Sequence, residues 1–212
     1  MLKIFEFILH IDKYLQTMVH QHLTLTYTLI FLIILFETGL VVMPFLPGDS
    51  LLFAAGALAA TGSFHIYTLF TLILMAAVIG DTMNYHIGKF IGLSIFTKSS
   101  SFFFRTEYLA RAQHFYEKHG KKTIILARFI PIVRTFAPFV AGIGTMPYLT
   151  FLTYNIIGGT IWTSLFIFGG FFFGNIPLIK ENFGLLIIGI IIISVLPLIK
   201  EIIIHFLPKK EN

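Results

Sequence analysis

Long apolar runs, interrupted at two places by prolines and charges, set the plan of this chain. Residues 23–42 (LTLTYTLIFLIILFETGLVV) make one largely apolar stretch, and about 20 such residues cross a hydrocarbon core as a helix. Residues 43–62 (MPFLPGDSLLFAAGALAATG) are as apolar but carry Pro44, Pro47 and Gly48 followed by Asp49. Proline removes a backbone donor and kinks a helix, so this segment is predicted to be a re-entrant hairpin, buried against protein or lining water. Residues 64–88 form the next span, and residues 123–147 repeat the broken pattern with Pro131 and Pro138. A span follows over 148–174, then a turn over 175–182 and an Ile-rich span over 183–207. Residues 1–22 are amphipathic and acid-bearing. They read as a helix at the membrane interface or the entry to the first span, with no signal-peptide cleavage pattern.

Composition supports an all-α polytopic membrane protein of one domain, residues 1–212. The chain is 57% hydrophobic with 25 phenylalanines and only 12% charged residues, half of the roughly 25% usual in soluble domains. The apolar runs do not alternate, which disfavours a barrel. There is no cysteine, so disulfides and thiolate chemistry are excluded. The eight histidines show no metal-ligand spacing, and neither a metal nor a cofactor is expected. No nucleophile elbow, P-loop or dinucleotide fingerprint is present, so no catalytic residue is assigned and no enzyme is expected.

The net charge of +5 does not point to nucleic acid. Residues 89–122 hold seven basic residues against Glu107 and Glu117, which marks this segment as cytoplasmic by the positive-inside rule. The basic tail 208–212 is expected on the same side, where both can meet anionic lipid heads.

Charges inside the apolar stretches carry the chemistry. A charge at membrane depth costs about 2.5–3.5 kcal/mol on insertion scales. Arg128 and Arg134 flank Pro131, and a break there lets two side chains converge that one straight helix would hold apart. Arginine's planar, permanently charged fork suits phosphate oxygens. The bland alternative pairs these arginines with Glu37 and Asp49 as structural ion pairs. Desolvated carboxylates at Glu37 or Asp49 suit proton coupling, although Asp49 also has a local role available at the start of a helix. Asp81, Asn84, Tyr85 and Asn155 are supporting polar positions, with Asp81 capping or meeting a basic group. Gly56, Gly88, Gly142 and Gly158 suit close helix packing, and Trp162 suits an interfacial anchor or packing. A faint internal repeat relates Pro44…Ala55-Gly56 to Pro131…Ala141-Gly142, and Asn84/Gly88 to Asn155/Gly159. Paired, interrupted segments of this kind point to a transporter site.

These motifs carry a family resemblance. Phe36-Glu37-Thr38-Gly39, Pro47-Gly48-Asp49-Ser50, Gly80-Asp81-x3-Tyr85-x2-Gly88 and Arg128-Phe129-x-Pro131-x2-Arg134-Thr135-Phe136-x-Pro138 occur in order with Asn155 and Trp162. The chain thereby resembles the bacterial DedA family, the SNARE-associated or VTT-domain membrane proteins, over about residues 5–205. The resemblance implies a multi-pass inner-membrane protein with two facing re-entrant hairpins. It implies transport of undecaprenyl phosphate or a related anionic lipid driven by the proton motive force, in support of the envelope. It also implies essential acids at Glu37 and Asp49 and essential arginines at Arg128 and Arg134. The expected partners are membrane lipid and protons, with a homodimer permitted by the glycine-rich faces. Two other readings stay open: a proton- or sodium-coupled antiporter or osmoprotectant carrier, and an uncoupled scramblase or structural membrane factor.

Overall fold

Helices account for the regular structure in a computed structural model that describes residues 17, 19, 21–40, 48–91, 106–144, 146–181, 185 and 189. No strand occurs among the described residues. In chain order the helices are α1 (Leu23–Gly39), α2 (Gly48–Ala60), α3 (Ile66–Ile91), α4 (Thr106–His119), the short α5 (Thr123–Leu126), α6 (Pro131–Ile143), α7 (Tyr148–Gly174) and α8 (Pro177–Glu181). Two of them, Ile66–Phe90 and Tyr148–Gly174, are long and apolar enough to cross a membrane. The expected helix over 1–22, the breaks at Pro44 and Pro47, and the expected span over 183–207 lie almost wholly outside the described residues.

The chain divides into two compact units. One comprises Thr24–Gly48 and Ile66–Leu165; the other comprises Met1–Leu23, Asp49–His65 and Phe166–Asn212. In the first, α4 is amphipathic. Its buried Ala112 joins Ala127, Val133, Phe136, Ala137 and Phe139 in one apolar cluster, with Phe115 and Tyr116 packed against it. Gln113, His114, Glu117 and Lys118 are exposed.

Glycine sets how closely the helices approach. A methyl group on Gly88 of α3 would overlap the Phe139 carbonyl of α6, and one on Gly142 of α6 would overlap the Tyr85 carbonyl of α3. The same reciprocal arrangement occurs within the second unit. There Gly56 of α2 faces the Ile167 carbonyl of α7, and Gly170 of α7 faces the Phe53 carbonyl of α2. These glycines are therefore engaged by the chain's own helix backbones. In the first unit, Gly39 of α1 and Gly80 of α3 also touch, with Thr38 Oγ1 lying where a Gly80 side chain would be.

Turns follow local chemistry. Gly62 has φ of +85°, a conformation that favours glycine. It closes α2 with Gly62 N–H bonded to Ala59 O at 3.1 Å and Ser63 N–H to Leu58 O at 3.3 Å, the paired bonds of a Schellman ending. Between α5 and α6 the backbone passes through a 3-10 turn, Ala127–Phe129, to Ile130 at φ −120° and ψ 106°. The residue before a proline is driven into this extended region, and Pro131 then opens α6 at its first turn.

Pro138 departs from expectation: it lies inside α6 and ends nothing. An interior proline removes one backbone bond and costs about 3 kcal/mol. Here Phe136, Ala137 and Phe139 around it are fully buried or nearly so. The neighbouring carbonyls also receive side-chain donors, Asn84 Nδ2 to Thr135 O at 2.8 Å and Tyr116 Oη to Ala137 O at 3.0 Å. These bonds and the buried neighbours fix α6 to α3 and α4 around the proline.

The helix crossings make a direct prediction. Gly88→Ala or Gly142→Ala must separate two backbones and should cost about 1–3 kcal/mol. Gly169→Ala meets only Phe53 Cε2 at 3.9 Å and should be neutral or slightly stabilising, since alanine suits a helix interior better than glycine. Thermal unfolding of the detergent-solubilised protein should show clearly lowered midpoints for the first two and none for the third.

Candidate functional site

Four ionisable side chains are buried among the described residues of the first unit. Glu37 comes from the end of α1, Asp81 from the middle of α3, Arg128 from the 3-10 turn and Arg134 from the first turn of α6. Relative exposures are 4% for Glu37, 4% for Asp81, 3% for Arg128 and 8% for Arg134. Two positive and two negative charges balance, which is the condition under which buried charges are tolerated.

The structure adds a partner that the sequence reading did not name for Arg128. Arg128 Nη2 donates to Asp81 Oδ2 and to Asn155 Oδ1. Asn155 is held by its own Nδ2, which donates to Val78 O at 3.1 Å, so its oxygen faces the guanidinium. Arg134 Nη2 stands 3.5 Å from Glu37 Oε1. Asp49 belongs to the other unit, half-buried in the first turn of α2, where a carboxylate complements the helix N-terminus. Asp81, expected as a supporting residue, is thus the carboxylate paired with Arg128.

The break at Ile130 brings the two guanidinium groups to one aromatic face. Arg134 Cζ lies 4.4 Å from the Trp162 ring centroid and Arg128 Cζ lies 5.9 Å from it. Trp162 has no exposed surface, so it packs rather than anchors at an interface. A desolvated cation–π contact is worth up to about 2 kcal/mol. Trp162 is the chain's single tryptophan.

Glycines make room for the charges. A Cβ at Gly158 would stand 3.2 Å from both Cδ and Nε of Arg128, so Gly158 and Gly159 form a notch in α7 for this arginine. Any side chain at Gly48 would overlap the Glu37 carboxylate, which explains the glycine of the Pro-Gly-Asp motif. Asn84 Nδ2 donates to Thr38 O at 3.2 Å as well as to Thr135 O. It therefore ties the end of α1 to α6 and satisfies a carbonyl that a helix end leaves open. Tyr85 Oη donates to Met146 O, and its ring stacks on Phe151 at 4.5 Å.

Not every buried donor is used. Nε and Nη1 of Arg128 have no hydrogen-bond acceptor among the described residues, an uncommon state for buried polar atoms. Among the described residues no cluster of His, Cys, Asp or Glu is arranged to hold a metal. Sequence reasoning missed Trp162 as the shelf beneath the arginines, Gly48 as the seat of Glu37, and Asp81 as the partner of Arg128. One signal for Asp81 was available: like Glu37 and unlike Asp49, it is a charge inside an unbroken helix with no helix start to explain it.

Comparison with known proteins places these residues in a family. The VTT domain matches residues 46–172, more than half of the chain. Protein DedA of Escherichia coli (strain K12) is 54% identical over 202 residues, covering 94% of this chain and 92% of that protein. An uncharacterized membrane protein of Mycobacterium leprae (strain TN) is 44% identical over 165 residues, 78% of this chain and 74% of that one. Inner membrane protein YghB of Escherichia coli (strain K12) is 31% identical over 159 residues, 75% and 73% of the two chains. No solved structure matches significantly. The buried charges, the two long apolar helices and the matched length together show that this chain belongs to the DedA family of VTT-domain membrane proteins.

Proposed function

We propose that the protein is an inner-membrane lipid transporter that moves undecaprenyl phosphate, or a related lipid monophosphate, between leaflets at the expense of the proton motive force. The observation that carries this reading is the gathering of two buried arginines on one tryptophan face. A buried guanidinium such as that of Arg128, with Nε and Nη1 lacking an acceptor among the described residues, suits a phosphate oxyanion, which brings acceptor oxygens and negative charge together. The apolar exterior, with Leu25, Leu149, Leu165 and Phe172 exposed, suits a substrate whose tail stays in the bilayer.

The segment Thr123–Ile143 enters as a short helix, turns at Ile130 and continues as α6. In this reading it forms most of the second re-entrant hairpin, residues 123–147, and residues 43–62 are the first. The matching glycine crossings, Phe53/Gly56 with Ile167/Gly170 and Phe139/Gly142 with Tyr85/Gly88, support an internal repeat. Glu37 and Asp49 are the proton-coupling acids. An antiporter that binds a cation on these acids fits less well, because the buried Glu37 faces Arg134 already. Residues 89–122 and the C-terminal tail face the cytoplasm, and a homodimer remains compatible with this arrangement.

In proteoliposomes, labelled undecaprenyl phosphate should cross faster when a pH gradient is imposed. Arg134→Ala should lower that rate at least tenfold, on the order of the 2–5 kcal/mol attached to truncating a buried charged partner, while insertion persists. Arg134→Lys should recover only part of it, since lysine keeps the charge and loses the planar fork and the stacking. Equal rates for the protein and Arg134→Ala would remove the arginine clamp, and flipping of ordinary phospholipids without gradient dependence would favour a scramblase.

Topology is testable with clean single-cysteine probes, because the chain has no cysteine of its own. Lys121→Cys and Lys210→Cys should both react with an impermeant maleimide in inside-out vesicles and be protected in intact cells.

A further inference from the structure

We propose that Asp81 is the group that an anionic head group displaces from Arg128, and that this exchange makes head-group binding dependent on pH; the inference rests on the phosphate-binding reading above. Arg128 is only partly engaged. One nitrogen, Nη2, serves both Asp81 and Asn155, while Nε and Nη1 have no acceptor among the described residues. A phosphate oxyanion has the oxygens to take these donors and the charge to compete for the third. Asn155 is neutral and tied to Val78 O, so Asp81 is the partner whose release changes the charge.

Charge balance then requires a proton. Glu37, Asp81, Arg128 and Arg134 sum to zero in a buried setting. An arriving phosphate adds at least one negative charge where its field is poorly screened. Protonation of the displaced Asp81 restores the balance and removes its claim on Arg128. Among the described residues, these charged and titratable groups act on Asp81. Arg128 comes from the 3-10 turn, Arg134 from α6 and Tyr116 from α4. Burial and, secondarily, the Asp81 charge push the Tyr116 phenol well above its ordinary range, so it stays neutral. Glu37 acts from α1 through Arg134. Asp81 is in this account a positioning residue that sets whether Arg128 can receive the ligand.

The test is binding of radiolabelled farnesyl monophosphate to the full-length protein in detergent from pH 6 to pH 8, with inorganic phosphate run in parallel to separate a lipid head from a free anion. Uptake of one proton per ligand should weaken wild-type binding by up to about tenfold per pH unit. Asp81→Asn should bind more tightly than wild type at pH 8 and lose that slope. Both proteins see the same ligand, so the phosphate's own ionisation near pH 6 cancels between them. The same slope in Asp81→Asn, or weakened binding at every pH as expected of Arg128→Ala, would overturn the inference and leave the phosphate site standing. No saturable wild-type binding at any pH would overturn the phosphate site itself. Should Asp81→Asn not fold, infrared difference spectra of wild type labelled with carbon-13 aspartate decide the matter. Ligand binding should produce a protonated aspartate carboxyl band, and its absence would overturn the proposal.

Discussion

Everything in the charged unit depends on one constraint: two guanidinium groups removed from water must be neutralised where they sit. Asp81 on α3 and Glu37 on α1 do this for Arg128 and Arg134. The two pairs bind the 3-10 turn and α6 to the helices that flank them. Removing one member of such a pair leaves a buried charge alone and typically costs about 3–5 kcal/mol. The pairs therefore hold the unit in place as well as setting its chemistry. Their geometry is also incomplete as a purely structural device, because Nε and Nη1 of Arg128 have no acceptor among the described residues.

Close backbone packing is what brings these charges within reach. Gly80 lies against α1 next to Asp81 in sequence, and Gly88 and Gly142 press α3 onto α6. Gly158 and Gly159 open α7 to the Arg128 side chain. Glycine is usually weak in helix interiors, yet each of these positions sits against a backbone or a charged side chain. Pro131 contributes in the other direction. By forcing Ile130 to be extended, it turns the chain so that residues 128 and 134 share the face of Trp162.

Much of this was legible in the residues. Apolar run length located α1, α3 and α7, because a membrane helix must satisfy its backbone internally and be long enough to do so. The break at Pro131 and the convergence of Arg128 and Arg134 followed from proline's fixed geometry. Partner choice was harder. Glu37, Asp49 and Asp81 are all acids in apolar sequence, and hydropathy does not say which of them shares a unit with which arginine. Long-range contacts such as Asn84 to Thr135, 51 positions apart, leave no local trace either. Pro138 misled because a proline reads as a stop in one dimension, whereas here buried neighbours and the donors of Asn84 and Tyr116 hold the helix through it.

The central claim is that the arginine pair on Trp162 receives a phosphate head group, and the single tryptophan offers a direct reporter. The decisive measurement is intrinsic fluorescence of the purified protein titrated with a polyprenyl monophosphate and, separately, with the matching polyprenyl alcohol. A saturable change with the phosphate, absent with the alcohol and lost in Arg134→Ala, is the predicted result. Identical responses to phosphate and alcohol, or an undiminished response in Arg134→Ala, would show that the lipid is held by its tail and would contradict the account.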